Sequence, residues 1–254
     1  MRRSVMVLGF IIISVFIVSV NANAEVVSFG DTSKFWPGWG NGSSDNFNDT
    51  IGIPNFTGGE ASITSGQLNK LTFDRATGTS PYWGVLSPGD LFIDIGADQT
   101  WDYVVDLSRW RSACVSNHDP GPGNYSIYSL SLALNNTSGG YILSGRDNRD
   151  GWRGYYIRDS HPVAANIRKV NGTYYDSVYF SGWGDGSTTE YYFDFKGLDL
   201  GPSGQFTIGW QPNCANDVIY ETLSYHATPE PATMSLLGLG LAGLLRFRRK
   251  KRSI

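Results

Sequence analysis

Apolar residues between residues 25 and 227 recur with a period of two, and the helical period of 3.6 is almost absent. The clearest case is Tyr125–Leu134, in which Leu130, Leu132 and Leu134 alternate with Ser and Ala. Side chains two positions apart lie on the same face of a strand, so these leucines are expected to face the core together. Clusters of Gly, Asn, Asp, Ser and Pro separate many such runs, which is typical of sandwiches and barrels. We therefore predict an all-β fold, an antiparallel β-sandwich of jelly-roll type in one domain.

The predicted strands are short runs that alternate or are rich in aromatic residues. They are Val26–Phe29, Leu71–Phe73, Leu91–Ile95, Trp101–Leu107, Tyr125–Leu134, Tyr141–Leu143, Gly154–Ile157, Ala165–Val170, Val178–Phe180, Tyr191–Phe195, Gln205–Trp210 and Val218–Tyr225. The stretch Asp31–Gly66 is rich in Gly and Asn. It is predicted to be a long loop region or a set of very short strands.

The first 24 residues have the pattern of an export signal. Arg2-Arg3 precedes the apolar run Val5–Val20, and Ala22-Asn23-Ala24 fits the small-residue site of signal peptidase. We predict that residues 1–24 are a signal peptide and that the mature chain begins at Glu25. The alternative is a single uncleaved membrane helix.

The end of the chain has three parts in a fixed order. Pro229-Glu230-Pro231 prevents a helix or strand from continuing, Met234–Leu245 carries no charge, and six of the last nine residues are basic. A helix of this uncharged length rises only about 18 Å, which is short of the ~30 Å hydrocarbon core of a bilayer. It is predicted to be a transient inner-membrane anchor whose basic end stays cytoplasmic. An ordinary tail anchor is the alternative.

This order of Pro-Glu-Pro, Leu/Gly-rich run and Arg/Lys cluster resembles the PEP-CTERM sorting signal of Gram-negative bacteria that secrete exopolysaccharide. The resemblance implies an exosortase as partner, which would remove the tail and release the protein to the cell surface or matrix. It covers residues 228–254 and implies a destination without an activity. The predicted β-sandwich domain is residues 25–227. Within it, Gly89–Asp106 and Phe206–Ile219 also resemble segments of exported PEP-CTERM proteins of unassigned activity.

The charge of the predicted domain differs from that of the whole chain. Eight of the 20 Lys and Arg lie in the two terminal signals, but only one of the 23 acidic residues does. Residues 25–227 therefore carry 12 basic and 22 acidic residues, a net charge of −10, whereas the whole chain carries −3. Such a domain repels nucleic acid and anionic lipid surfaces, so neither is a predicted partner. Its carboxylates are able to recruit divalent cations.

Cys114 and Cys214 are the only cysteines, and both lie in the predicted exported part. Export places them in an oxidising compartment, so we predict one disulfide between them. The alternative is two separate buried thiols. The disulfide would attach the hairpin predicted around Pro212 to the middle of the domain.

Three aspartates surround the turn of a β-hairpin predicted over Gly89–Asp106. Asp94, Asp98 and Asp102 provide carboxylate oxygens, which are calcium ligands, although their spacing is not that of an EF-hand. They form the one candidate metal site, and calcium is the one cofactor considered. The alternative is that they accept hydrogen bonds within the turn, as Asp commonly does.

Four tryptophans in Gly-rich turns are candidate glycan-binding residues: Trp36, Trp39, Trp152 and Trp183. Exposed loop aromatics of β-sandwich lectins stack on sugar faces, which is an analogy at the level of the fold. Pro37 stiffens the predicted loop that carries the indoles of Trp36 and Trp39. The alternative for each tryptophan is packing in the core.

The sequence shows no catalytic pattern. His118, His161 and His226 lack metal-ligand spacing, and no nucleophile or phosphate-binding motif occurs. We predict an exported, non-catalytic protein of the cell surface or of the exopolysaccharide matrix of a biofilm, either glycan-binding or structural. The alternatives are a secreted glycan-active hydrolase or lyase, whose paired acids are a spatial feature, and a calcium-dependent adhesive module.

Overall fold

The computed structural model describes residues 24–33, 36, 55–76, 88–107, 121–134, 142–144, 162–182, 190–212, 217–226, 238 and 240. The chain divides into two compact units. The first consists of Asn23–Ala227, and the second consists of both terminal segments, Met1–Ala22 and Thr228–Ile254. Both predicted signals, including Pro229-Glu230-Pro231, lie outside the described residues apart from Ala24, Gly238 and Gly240. Within the described ranges, no helix has the length and apolar character needed to cross a membrane.

The described residues form twelve strands. They are β1 Glu25–Gly30, β2 Phe56–Thr64, β3 Gln67–Arg75, β4 Leu91–Ile95, β5 Thr100–Val105, β6 Gly123–Ala133, β7 Ile142–Ser144, β8 Pro162–Ala165, β9 Thr173–Ser181, β10 Glu190–Asp199, β11 Ser203–Trp210 and β12 Ile219–His226.

Ten strands form one sheet in the order β1-β2-β3-β10-β9-β6-β5-β4-β11-β12, and β7 pairs with β8. Neighbours in the large sheet run antiparallel. Its two edges meet through carboxylates: Glu25 of β1 accepts the N–H of His226 at 2.9 Å. Glu221 of β12 accepts the N–H groups of Thr32 and Ser33 at 2.7 and 3.1 Å. The sheet is thus a nearly closed, sandwich-like barrel, and the predicted all-β antiparallel fold is confirmed.

Alternating side chains of the curved sheet fill its interior with aromatic rings. Trp210 of β11 is fully buried, and its ring centre lies 4.7 Å from that of Phe73 and 5.1 Å from that of Phe56. Its Nε1 donates a hydrogen bond to the carbonyl of Gly89 at 3.0 Å. Aromatic pairs add about 0.5–1.5 kcal/mol each beyond the burial of their area, so this cluster is a principal source of stability.

A second apolar layer, which we call the outer cluster, packs on the opposite face of β4. The side chain of Phe92 belongs to it, whereas the neighbouring Leu91 and Ile93 face the interior. Leu132 and Leu134 are buried in the outer cluster. The leucines that the alternation places on one face therefore do share a face, but they contribute to this second layer and not to the interior of the barrel.

Two predicted segments differ from the structure. The strand β2 lies within the stretch predicted as loops or very short strands, because its glycines suggested a loop. A Cβ atom at Gly58 would lie 2.2 Å from the carbonyl oxygen of Phe29, and one at Gly59 would lie 1.9 Å from that of Thr72. These glycines therefore permit close approach of neighbouring strands. The predicted strand 165–170 is mostly a turn, since β8 ends at Ala165.

Candidate functional site

The hairpin between β4 and β5 contains the three predicted metal ligands. Asp94 Oδ1 accepts the N–H of Asp98 at 3.1 Å, and Oδ2 accepts that of Gln99 at 3.0 Å. Asp102 Oδ2 accepts the N–H of Ile95 at 2.7 Å, and the Asp98 carboxylate accepts the N–H two residues further on at 3.0 Å. All three carboxylates therefore accept hydrogen bonds from the backbone of the turn, which is the alternative that the sequence left open.

The electrostatics of this hairpin agree with a structural role. Burial raises the pKa of Asp94 and of Asp102, and the backbone hydrogen bonds oppose that shift. Among the described residues, no group of three or more His, Cys, Asp or Glu side chains is arranged to hold a metal ion. Calcium binding by these aspartates stays a prediction, while their geometry supports stabilisation of the turn.

Trp36 belongs to the outer cluster and is fully buried. Its ring centre lies 5.3 Å from that of Phe92, 5.0 Å from that of Trp101 and 5.8 Å from that of Tyr220. The indole also covers Gly209, where a Cβ atom would come within 2.4 Å of the ring. The prediction that Trp36 stacks on a sugar is therefore wrong, because no face of its indole is open to solvent.

The other predicted site residues lie outside the described residues. They are Trp39, Trp152 and Trp183 for glycan, Cys114 and Cys214 for the disulfide, and Pro229, Glu230 and Pro231 for sorting. These assignments stay predictions.

The exposed aromatic side chains of the described residues include three tyrosines of β9. Tyr174 is 59% exposed, Tyr175 45% and Tyr179 36%. Tyr179 lies between the buried residues Val178 and Phe180, so the alternation of the strand points it outward. That alternation is legible in the predicted strand Val178–Phe180, but the candidate glycan-binding residues predicted from the sequence are all tryptophans.

Tyr179 forms a pair with Tyr192 of β10 on the outer side of the sheet. The ring centres lie 6.1 Å apart, with an angle of 34° between the ring planes. Nζ of Lys70, on β3, lies 4.8 Å from the centre of the Tyr192 ring and 4.0 Å from the Glu190 carboxylate. We call Lys70, Tyr179 and Tyr192 the tyrosine surface. Because β3, β10 and β9 are neighbours within the sheet, these side chains are held on a rigid base.

A cleft of about 260 Å³ opens beside this surface, where β9 and β10 separate. The two strands pair only from Tyr192↔Ser181 to Asp194↔Tyr179. Strand β10 continues along β3 to Asp199, with a bulge after Asp194, and Gly197 has a φ of 90°. Bulges bend a strand and increase its twist, so this bulge accounts for the separation of β10 from β9.

Buried apolar side chains lie at the bottom of the cleft, which we call its floor, but most of the exposed lining is polar. The floor consists of the buried side chains Ile127, Val178, Phe195 and Leu198. On the rim, Tyr175 stands beside Tyr103, with ring centres 5.0 Å apart. Burial is the main reason that the pKa of Tyr103 is raised, and the neighbouring Tyr175, which is hydrogen-bonded to it, raises the pKa further.

An ion pair crosses the mouth of the cleft. Lys196 Nζ lies 3.5 Å from Asp176 Oδ1 and donates a hydrogen bond to Ser177 Oγ at 2.9 Å. The Lys196 and Asp176 side chains are 63% and 43% exposed. Exposed ion pairs contribute at most about 1 kcal/mol to stability, so both groups are available to a ligand at little cost to the fold.

Comparison with known proteins identifies the end of the chain. Residues 227–250 match the family model for the PEP-CTERM protein-sorting motif. No curated protein and no solved structure significantly matches the chain. The match confirms the resemblance of the tail and indicates an exported protein that an exosortase-dependent route sorts to the cell surface. It covers the tail alone, so the activity of the β domain rests on its own chemistry.

Proposed function

We propose that this protein is a non-catalytic component of the cell surface or exopolysaccharide matrix, and that its β domain binds polysaccharide through the tyrosine surface. The sorting motif supports the destination. The observation that carries the binding is the pair of exposed Tyr179 and half-buried Tyr192 on the outer face, with Lys70 beside it. The tail resembles signals of bacteria that secrete exopolysaccharide, so polysaccharide is the polymer expected at that destination.

Tyrosine suits this role because its ring face is apolar and its hydroxyl is polar. The face packs on the C–H groups of a sugar ring, and the hydroxyl forms hydrogen bonds with sugar hydroxyls. Tyr179 and Tyr192 are fixed on adjacent paired strands, so little conformational entropy is lost on binding. Each stacked ring contributes on the order of 1 kcal/mol, so useful retention comes from many repeated units of a polymer.

The charge of the domain favours a neutral polymer. Residues 25–227 carry a net charge of −10, which repels polyanionic chains. Lys70 is close to Glu190, so its charge is partly balanced on the same surface. It remains able to donate hydrogen bonds to sugar hydroxyls, which an ammonium group does with up to three protons.

Co-sedimentation of the exported protein with polysaccharide isolated from its host tests the proposal. Tyr179→Ala combined with Tyr192→Ala should weaken retention at least tenfold, and the melting temperature should change little because both rings lie on the outer face. Tyr174→Ala is the matched control, since it removes an exposed tyrosine of β9 outside the tyrosine surface. Wild-type retention by the double variant, or equal loss in the control, would contradict the proposal.

A further inference from the structure

We infer that the cleft between β9 and β10 is a separate subsite for one neutral pyranose unit, either a side branch or a chain end. This inference rests on the proposed function, because it names the kind of sugar that the bound polymer would present. It concerns residues that the tyrosine surface does not include: the floor Ile127, Val178, Phe195 and Leu198, and the pair Asp176 and Lys196.

The size of the cleft limits its occupant to about one ring. Its volume of about 260 Å³ falls just below the ~300–1,000 Å³ of pockets that enclose drug-sized ligands. The exposed lining is mostly polar with a smaller apolar part, so the occupant must offer hydrogen-bonding groups to the rim and a small apolar face to the floor. A sugar ring meets both demands, because its C–H face is apolar and its edge carries hydroxyls.

The rim has hydrogen-bonding capacity for those hydroxyls. The described contacts of the Asp176 carboxylate, from the Ser177 N–H at 2.7 Å and from Lys196, both fall on Oδ1. Lys196 directs its ammonium group to Asp176 Oδ1 and Ser177 Oγ. A carboxylate has about four acceptor sites and an ammonium three donors, so each group can engage a sugar hydroxyl as well. Tyr175 adds a ring at the same mouth.

The geometry connects the cleft with the tyrosine surface. Tyr192, Asp194 and Lys196 alternate along β10 with buried residues, so they lie on the same outer face. Lys196 is four positions after Tyr192, a distance of about 13 Å along an extended strand. A polymer stacked on the tyrosines can therefore place a neighbouring unit or branch in the cleft.

The Asp176 carboxylate makes the site selective for neutral sugars. A uronic acid unit would bring a second carboxylate close to Asp176, while Lys196 already balances one negative charge. Like charges at such short range disfavour binding, and the net charge of −10 on residues 25–227 adds to the repulsion.

Saturation-transfer NMR on the exported protein, purified from the surface fraction of its host, tests the inference. The probes are the methyl glycosides of glucose, galactose and mannose, with methyl glucuronide as the charged counterpart. Wild type should bind at least one neutral glycoside with a dissociation constant on the order of millimolar, as expected for a single small ring. Asp176→Asn and Lys196→Met should each weaken that binding at least tenfold, and both positions are exposed enough to tolerate the change.

The Tyr179→Ala/Tyr192→Ala variant separates this inference from the proposed function. It should bind the neutral glycoside as wild type does, even though it loses retention on the polymer. The inference is overturned if wild type binds no neutral glycoside, if both rim variants bind like wild type, or if the glucuronide binds more tightly. None of these results changes the co-sedimentation outcome, which decides the tyrosine surface on its own.

Discussion

Replacement of Trp36 by alanine tests the assignment of this residue to the outer cluster. The indole is fully buried, and it contacts Phe92 and Trp101 edge to face. A sugar-stacking role would predict normal stability and weak polysaccharide binding for Trp36→Ala. A packing role predicts a large loss of stability, with binding by the remaining folded protein unchanged.

The expected loss follows from the contacts of the indole. Truncation of a buried Phe or Trp to Ala costs about 3–5 kcal/mol, because contacts are lost and a cavity remains. The aromatic pairs with Phe92 and Trp101 place Trp36→Ala toward the upper part of that range. Among the described residues, the buried Trp36 Nε1 finds no acceptor, so its removal relieves part of a desolvation cost. We therefore expect a loss of about 4 kcal/mol, or a melting temperature about 8–16 °C lower for a domain of this size.

Gly209 provides an internal check on that number. Gly209→Ala places a methyl group 2.4 Å from the Trp36 ring, and overpacking of this kind costs about 1–3 kcal/mol. Once the indole is absent, the methyl group occupies the vacated space. The double variant should therefore be more stable than the sum of the two single effects predicts, with a coupling energy of about 1–3 kcal/mol.

Urea unfolding followed by circular dichroism measures the free energy of unfolding of the exported wild type, of Trp36→Ala, of Gly209→Ala and of the double variant. Tyr174→Ala is the surface control and should change stability by about 0.5 kcal/mol or less. A loss below about 1 kcal/mol for Trp36→Ala, or strict additivity in the double variant, would refute the packing of the indole on Gly209.

Four further predictions concern the turn, the half-buried phenol of Tyr220 and the covalent state of the chain. Asp94→Asn should lower the free energy of unfolding by about 1–2 kcal/mol, since an amide cannot accept both N–H groups that the carboxylate accepts. If millimolar calcium raises the melting temperature of wild type but not of this variant, the site binds calcium after all. Burial raises the pKa of Tyr220 to about 12. Unfolded tyrosine ionises near pH 10, so stability should fall as the pH rises from about 10 through 12, and Tyr220→Phe should reduce that slope in urea titrations. Alkylation without prior reduction should leave Cys114 and Cys214 unmodified if they form the predicted disulfide. Intact mass of the surface fraction should lack residues 1–24 and the basic tail, and a mass that includes the tail would contradict removal by an exosortase.

Short runs rich in apolar residues and bounded by turn residues were sufficient to predict several of the strands. The predicted strand Leu91–Ile95 coincides with β4, and the hairpin that joins β4 to β5 is present as predicted. The strand β2 was missed because Gly58 and Gly59 have the composition of a loop. Their function is to admit the backbones of neighbouring strands, and that requirement depends on residues distant in the sequence.

The candidate site was predictable only in part for the same reason. Alternation in Val178–Phe180 points Tyr179 outward, and it does so without any knowledge of neighbouring strands. The pairing of Tyr179 with Tyr192 depends on the order of β9 and β10 in the sheet, which no local pattern contains. Burial of Trp36 likewise depends on Gly209, which belongs to a strand far along the chain. Its Pro- and Gly-rich surroundings resemble those of an exposed loop, so the local pattern favoured the wrong alternative.

Charged side chains stand where this barrel is incompletely hydrogen-bonded. Unpaired strand edges are sites for the addition of another strand, and proteins block them with charges. At the seam, Glu25 and Glu221 accept backbone N–H groups from the opposite edge. At the cleft, Lys196 and Asp176 lie across the gap between β9 and β10. A protein concentrated at a cell surface is exposed to strand addition by its own copies, so these charges would be useful even without a ligand. Rim variants that remove one charge but keep the mouth polar, such as Asp176→Asn, should therefore be monitored for association as well as for sugar binding.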